Sequence, residues 1–554
     1  MLFLGQFSQI LTKNIIMNTV KKALKDSALM RWFVLLLISG LTFSTYWFQD
    51  FFSGIKPLMI SEMGITSSQF GTLIQWTTWA NIFGMIIVGG IILDKWGIRL
   101  AGIAFGGLAT LGAALTALGA AGTFTTDTES QLWIMMIGRL LFGSGLEVVC
   151  VIAMRTIVKW FKGYELALAM ALNMGFGRLG STLGTALSAD IANGTVPPAV
   201  NFAATLIALG LLMFLIYTIF DIKLDRQLKS DVVEEEEPFR FSDLIKLITN
   251  RSFLFIALLC VTFYSAVFPF MQYAPDLLIN KYGFTYELPA ANTFGSTMAG
   301  NVFIYIGLFI FALAITLWPS YIKEKSKKYL VTGLVLTLFV LFIYTFRDTL
   351  ALWLNNGPKT ASLIPLGSIL FTPIFGNYVD KKGKAGTLMI FGAILLIFAH
   401  ISLSVMNNVF MGYLGLVSLG VAFSLVPAAM WPSVAKIVAE NRLGTAYATM
   451  FTIQNIGLNA FFKGIGWVLD KVNPDVVAQI EATREQLKAQ GLSSGEISER
   501  LQDMQQVTHE IPPFDYTIPI LMLVGLGVLA MFLAFMLKRA DIKQGYGLEK
   551  PSNS

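Results

Sequence analysis

The chain has 554 residues, 55% of them hydrophobic and only 13% charged, with a mean hydropathy of +0.67. That balance excludes an ordinary soluble domain and describes an all-helical polytopic membrane protein, since barrel strands would show as alternating segments of about 10 residues. The net charge of +6 is accounted for by basic loops and calls for no nucleic acid.

Both cysteines, Cys150 and Cys260, lie in apolar runs, and His400 and His509 are the only histidines. Neither a disulfide framework nor a metal centre is expected, and no cofactor site is legible. No nucleophile and base constellation or phosphate loop is present either, so an enzyme is not expected.

In chain order, residues 1–30 read as a cytoplasmic tail, with Met17 as a second candidate start; the first 16 residues lack the charged start and cleavage site of a signal peptide. Apolar windows long enough to cross about 30 Å of hydrocarbon fall near 31–52, 68–93, 99–122, 131–154, 164–190 and 199–221. They define an N-terminal six-helix bundle over 31–222. A charged stretch, 223–251, reads as a cytoplasmic interbundle loop. Eight further windows follow, near 252–278, 301–320, 328–346, 359–379, 386–405, 408–432, 443–468 and 515–537. They define a C-terminal bundle over 252–540, a 301–346 helix pair and a cytoplasmic tail at 541–554. The polar segment 470–514 is expected as a solvated helical hairpin on the outside, with docking of an accessory protein as the other reading.

Basic residues sort the loops. KKALKDSALMR, DKWGIR, KWFKG, KEKSKK, DKKGK, AENRLG and LKRADIK alternate with loops nearly free of Lys and Arg. Counting fourteen spans puts every basic segment on one side, which the positive-inside rule makes cytoplasmic, along with both termini.

One loop pattern occurs twice. Gly90, Asp94, Lys95, Gly97 and Arg99 follow the second span, and Gly376, Asp380, Lys381, Gly383 and Lys384 repeat the spacing after the tenth. The glycines are expected to allow close helix approach and a tight turn, while the acids pair at a neighbouring helix end. This motif resembles the loop signature of the major facilitator superfamily, and Arg139, Gly143 and Gly145 resemble its fourth-helix motif. The resemblance implies two six-helix bundles around a central cavity with alternating access. Residues 301–346 then read as an inserted, peripheral helix pair, because that fold has twelve helices.

Charges inside spans cost about 2.5–3.5 kcal/mol each on insertion scales and tend to face a cavity or a partner. Asp50, Glu147, Arg155 and Arg178 are such charges. Arg155 is close enough to KWFKG to snorkel. Glu147 and Arg178 lie too deep for that. Two accounts stand: a mutual ion pair joining the fourth and fifth helices, or a site where Glu147 receives an ammonium and Arg178 a carboxylate, the guanidinium fork matching it in bidentate fashion. Asp50 and Glu147 are also the candidate proton sites for symport, against facilitated diffusion.

GRLLFGSGLE and WFKGYELALAMALNMGFGRLGST look like the corresponding run of the lysosomal dipeptide transporters within the superfamily, as do FYSAVFPF, Trp431-Pro432 and LGTAYATMFTIQNIGL. That resemblance implies that Glu147 and Arg178 hold the peptide termini. It also implies that Tyr46, Trp76, Trp79, Tyr264, Trp431 and Tyr447, with the amides Asn81, Gln454 and Asn455, line the site. The expected function is transport of dipeptides or similar small zwitterions. An organic-anion or sugar-phosphate carrier built on Arg139, Arg155 and Arg178, and a non-transporting receptor or assembly scaffold, are the competing readings. Lean loops and the lack of a lysosomal sorting signal point to a plasma or bacterial inner membrane.

Overall fold

In the computed structural model, residues 23–227, 246–288, 294–322, 324–439 and 442–551 are described. Met17 and most of the 223–251 loop lie outside them. Because hydrocarbon offers the backbone no hydrogen-bond partner, a spanning chain must satisfy its amides internally, and the described residues form helices throughout with no strand.

The first bundle comprises α1 (Ala28–Met63), α2 (Ser67–Gln75), α3 (Met85–Ala120), α4 (Thr128–Phe161), α5 (Leu166–Ala192) and α6 (Val196–Gln227). Two inserted helices, α8 (Met298–Thr316) and α9 (Lys325–Thr345), come after α7 (Arg251–Tyr282). The second bundle pairs α7 with α10 (Gly357–Lys382), α11 (Ala385–Val405), α12 (Val409–Ile437) and α13 (Leu443–Val472). A hairpin of α14 (Pro474–Ala489) and α15 (Ser494–Gln506) precedes the last helix, α16 (Thr517–Gln544). The second crossing is interrupted: α2 passes through a 3₁₀ turn, Trp76–Thr78, and a short helix, Trp79–Ile82, before resuming in α3. α3 in turn doubles back at Gly97, whose φ of 73° only glycine adopts without strain.

Eleven of the described helices are long and apolar enough to cross a membrane. α5 and α13 fall outside that group because polar residues such as Asn173, Arg178, Thr182 and Asp190, or Thr452, Gln454, Asn455 and Asn459, dilute their apolar windows. Both helices carry residues into the space between the bundles.

The two bundles meet on one face only. α1 packs on α7, α2 on α13, and α5 on α10. All three contacts lie in the halves remote from the basic loops. Along α5, residues 179–189 are all buried, whereas Met174 is 52% exposed; along α10, residues 364–369 are almost wholly buried and 374, 377 and 378 are exposed. The molecule is therefore closed opposite the basic face and open toward it. The closure is tight: a Cβ at Gly466 would sit 2.0 Å from the Ser67 carbonyl, and one at Gly71 2.5 Å from the Phe462 carbonyl.

Two expectations need correction. Gly97 and Gly383, with φ of 73° and 72°, make the expected turns, but Gly90 and Gly376 face open space rather than a neighbouring helix. The basic-side halves of the bundles are splayed, so no helix approaches them. The 470–514 hairpin is not simply solvated either. Ile497 and Leu501 are buried, the Ser498 hydroxyl lies 2.7 Å from that of Ser61, and Arg484 donates to the Glu62 carbonyl at 2.5 Å. It roofs the tip of α1, where its apolar residues find cover.

The Gly466 crossing gives a direct check. Gly466→Val overpacks a backbone contact, which costs about 1–3 kcal/mol. Its melting temperature in detergent should fall, and a cysteine placed in the closed face should become reactive to a water-soluble maleimide.

Candidate functional site

Glu147 on α4 and Arg178 on α5 sit midway along their helices, and both are half-buried. They do not form the ion pair that was one of the two accounts: among the described residues no cation lies within pairing distance of Glu147, and no carboxylate within that of Arg178. The Arg178 guanidinium instead lies over the ring of Phe423, 4.3 Å from its centroid, a cation–π contact from the opposite bundle. Asn455 of α13 faces the Glu147 carboxylate across the cavity. Tyr46 of α1 stands within electrostatic reach of both charges, and its hydroxyl is 4.0 Å from Cys150 Sγ.

An aromatic wall from the second bundle completes the site. Tyr264 is stacked on Phe268 at 5.3 Å, Phe268 meets Phe423 edge-on at 5.5 Å, and Trp431 Nε1 donates to the Tyr264 hydroxyl at 3.1 Å. The Tyr447 hydroxyl donates to the Trp431 carbonyl at 3.3 Å. Gln454 accepts from Cys260 Sγ at 3.2 Å. The structure thus gathers Tyr46, Glu147, Arg178, Tyr264, Trp431, Tyr447, Gln454 and Asn455 around one space between the bundles.

Three expected residues are engaged elsewhere. Trp76 packs edge-on against Trp133, 5.7 Å away and half-exposed at the periphery. Trp79 stacks on the exposed Phe83. Asn81 donates to the Gly143 carbonyl at 3.4 Å. Trp76 and Asn81 hold the interrupted second crossing against α4, where a Cβ on Gly143 would come within 1.9 Å of the Thr77 carbonyl.

Asp50 is buried and joins three helices: Ser181 of α5 donates to one oxygen and Gln272 Nε2 of α7 to the other at 2.8 Å. No cation pairs with it among the described residues. Arg139 is fully buried, donates to the Phe48 carbonyl at 3.0 Å, and has Phe48, Phe52 and Phe142 around its guanidinium at 5.7, 5.0 and 5.4 Å. Arg155 pairs with Asp94 of the loop motif at 2.6 Å, and Arg99 with Asp225 at 2.9 Å.

The residues that close the opposite face were missed in the sequence. Lys56 Nζ of α1 binds Asp276 of α7 at 2.5 Å, both side chains being buried, and Tyr516 donates to the same carboxylate. Four rings, of Phe70, Tyr273, Phe514 and Tyr516, surround the ammonium at 5.6–6.0 Å. Lys359 of α10 pairs with Asp190 of α5 and donates to the Ala186 carbonyl at 2.8 Å. Asp470 of α13 accepts from the amides of Ser67 and Ser68, at 3.1 and 2.7 Å. All three links cross between bundles. The signal was faint, because Lys56 and Lys359 stand at the ends of apolar runs. A pocket of about 320 Å3 beneath α14, lined in part by Gln69, Glu481 and Arg484, lies beyond this closure and away from Glu147 and Arg178.

Comparison with known proteins agrees with this architecture. The sequence model described as Major Facilitator Superfamily matches residues 35–357, more than half of the chain. The lysosomal dipeptide transporter MFSD1 of Danio rerio is 26% identical over 454 residues, covering 80% of this chain and 81% of that one. The protein of the same name from Homo sapiens is 25% identical over 452 residues, covering 79% and 80%. Among solved structures, a bacterial homolog of the human lysosomal transporter Spinster, in an inward-facing and unoccupied conformation, superposes with a TM-score of 0.59 at 12% identity, covering 93% of this chain and 98% of that one. A D-xylose–proton symporter gives a TM-score of 0.55 at 13% identity over 92% and 97%.

The Lys56–Asp276 pair is open to a mutant cycle. Lys56→Met strands a buried carboxylate, so the protein should lose about 3–5 kcal/mol. Removing both charges, in Lys56→Met with Asp276→Leu, should restore most of that loss, read as melting temperature in one detergent. Equal losses from the single and double variants would show that the charge pairing is not the origin of the effect.

Proposed function

The chain belongs to the major facilitator superfamily and is an integral membrane transporter, and from that premise we propose that it carries dipeptides or similarly small zwitterions by alternating access. One observation carries the reading. Two opposite charges stand midway along α4 and α5 between the bundles, and among the described residues neither has an ionic partner.

A buried charge without a counter-ion is costly, and a zwitterion supplies both counter-ions at once. Its ammonium goes to Glu147, flanked by Tyr46 and Asn455. Its carboxylate goes to Arg178, whose guanidinium carbon lies 4.3 Å from the Phe423 ring centre and whose fork can bind a carboxylate in bidentate fashion. Tyr264, Phe268 and Trp431 offer rings to whatever lies between the termini. A grip on the termini and backbone tolerates many side chains, so selectivity among dipeptides should be broad. The relatives named as dipeptide transporters support the same reading. A pure anion carrier is disfavoured by Glu147, which would repel its substrate.

Coupling falls to Asp50 in this scheme. Glu147 must stay ionised to hold an ammonium, whereas Asp50 is held by a hydroxyl and an amide and can accept a proton without breaking an ion pair. Because the Gln272 bond ties it to the second bundle, its protonation state bears on how the bundles separate. The basic loops place the open side in the cytoplasm. The relatives are named as lysosomal, while the lean loops here point to a cell membrane, a matter for fractionation.

The test is thermal stabilisation by ligand, which rises as RT ln(1 + [L]/Kd) for a ligand that binds only the folded state. Free dipeptides should raise the melting temperature; N-acetylated dipeptides, dipeptide amides and sugar phosphates should not. Glu147→Gln and Arg178→Ala should remain folded and lose the response. In proteoliposomes, dipeptide uptake should acidify the lumen, and Asp50→Asn should abolish that proton flux. Stabilisation by sugar phosphates alone would sink the zwitterion reading, and dipeptide uptake without proton movement would make the protein a facilitative carrier.

A further inference from the structure

The inserted pair is not wholly peripheral. α9 buries only Val335, and it packs on α8 through Phe342 against Gly307 and Phe311. α8 lies between α9 and the rest of the protein, and it touches both bundles. Its polar contacts are with the second bundle and the short helix, Arg347–Leu354, that leads into it: Asn301 accepts from Trp353 Nε1 at 2.7 Å, and the hydroxyls of Tyr305 and Ser362 lie 2.9 Å apart. Toward the first bundle its contacts are apolar: Phe309 meets Phe176 of α5 at 5.4 Å, and Gly175 leaves just the space that Phe309 and Leu313 fill.

The position of that second contact matters. Gly175 and Phe176 lie on the basic side of Arg178, at the level where α5 and α10 have parted and both become partly exposed. Two separated helices leave a slot in the side of the cavity, and beyond that slot is the bilayer. We propose that α8 is the side wall of the transport cavity. Phe309 and Leu313 seal the seam between α5 and α10 against lipid, so that the site is filled only from water.

The asymmetry of the contacts suits such a wall. Hydrogen bonds fix α8 to α10 and to the short helix before it, and an apolar face against Gly175 and Phe176 can slide as α5 moves. Between helices in lipid, close packing onto a small residue is what holds a contact together, and here it does so without a bond that rocking would have to break. The seal makes Phe309 and Leu313 selectivity residues. They admit no ligand themselves, and they deny amphiphiles and acyl chains entry from the membrane to the charges at Glu147 and Arg178. This holds whatever the aqueous substrate is.

Met174 is one helical turn from Arg178 on the same face and is 52% exposed, so it reports on the cavity. A Met174→Cys variant, with Cys150→Ser and Cys260→Ala, is labelled with a fluorophore and reconstituted into vesicles whose phospholipids are brominated at mid-chain. A Leu334→Cys label on the exposed face of α9 serves as the lipid-facing control. Iodide should quench the label at 174 strongly and brominated lipid only weakly, with the order reversed at 334. Adding Phe309→Ala and Leu313→Ala should raise lipid quenching at 174 several-fold and leave iodide quenching unchanged. Lipid quenching at 174 as strong as at 334 in the otherwise intact protein overturns the proposal without any truncation, and so does an unchanged lipid signal in a folded double-alanine variant.

Discussion

A charge inside hydrocarbon must be paired, screened by rings or left facing water, and this protein uses each solution in a different place. At the closed face, Lys56 and Asp276, and Lys359 and Asp190, are paired between bundles. At the fourth-helix motif, Arg139 is wrapped by three phenylalanines and tied to a carbonyl. Between the bundles, Glu147 and Arg178 have no counter-ion among the described residues, only Asn455 beside one and the Phe423 ring beneath the other. The distribution separates structural charges from those available to a ligand. Had Glu147 and Arg178 been paired with each other, the same two residues would have argued for a helix staple and nothing more.

The fold was largely legible, and for a physical reason: the membrane demands long apolar helices, and positive charge sorts their loops. The doubled loop motif then pointed to two related halves. What the sequence did not show is which side of each helix faces in. Trp76 and Asn81 stand in a suggestive run, yet the 3₁₀ interruption at Trp76–Thr78 turns them toward α4. Phe423 carries no motif at all, and only its place beneath the Arg178 guanidinium marks it. Lys56, Asp276, Lys359 and Asp190 were passed over because they stand near the ends of apolar runs, where snorkelling normally accounts for a charge. Their burial comes from the hairpin and the bundle contact, which are tertiary facts.

The loop glycines show how conformation limits what one state can reveal. Gly97 and Gly383 are needed in any state, since both hold a turn. Gly90 and Gly376 face empty space here, so this conformation gives no packing reason for a glycine at either position. A motif that serves a cycle is only half visible in one of its conformations.

The site and the closure share one helix. Along α1, Tyr46, Asp50 and Ser53 follow at spacings of four and three residues, which places them on one stripe of the helix, and Lys56 comes one turn further on. Tyr46 stands beside the two unpaired charges. Asp50 reaches Gln272 across the bundle interface, Ser53 reaches Thr185 of α5, and Lys56 holds Asp276. The candidate site and the closed face thus share one helix, which the buried Lys56–Asp276 pair ties to α7.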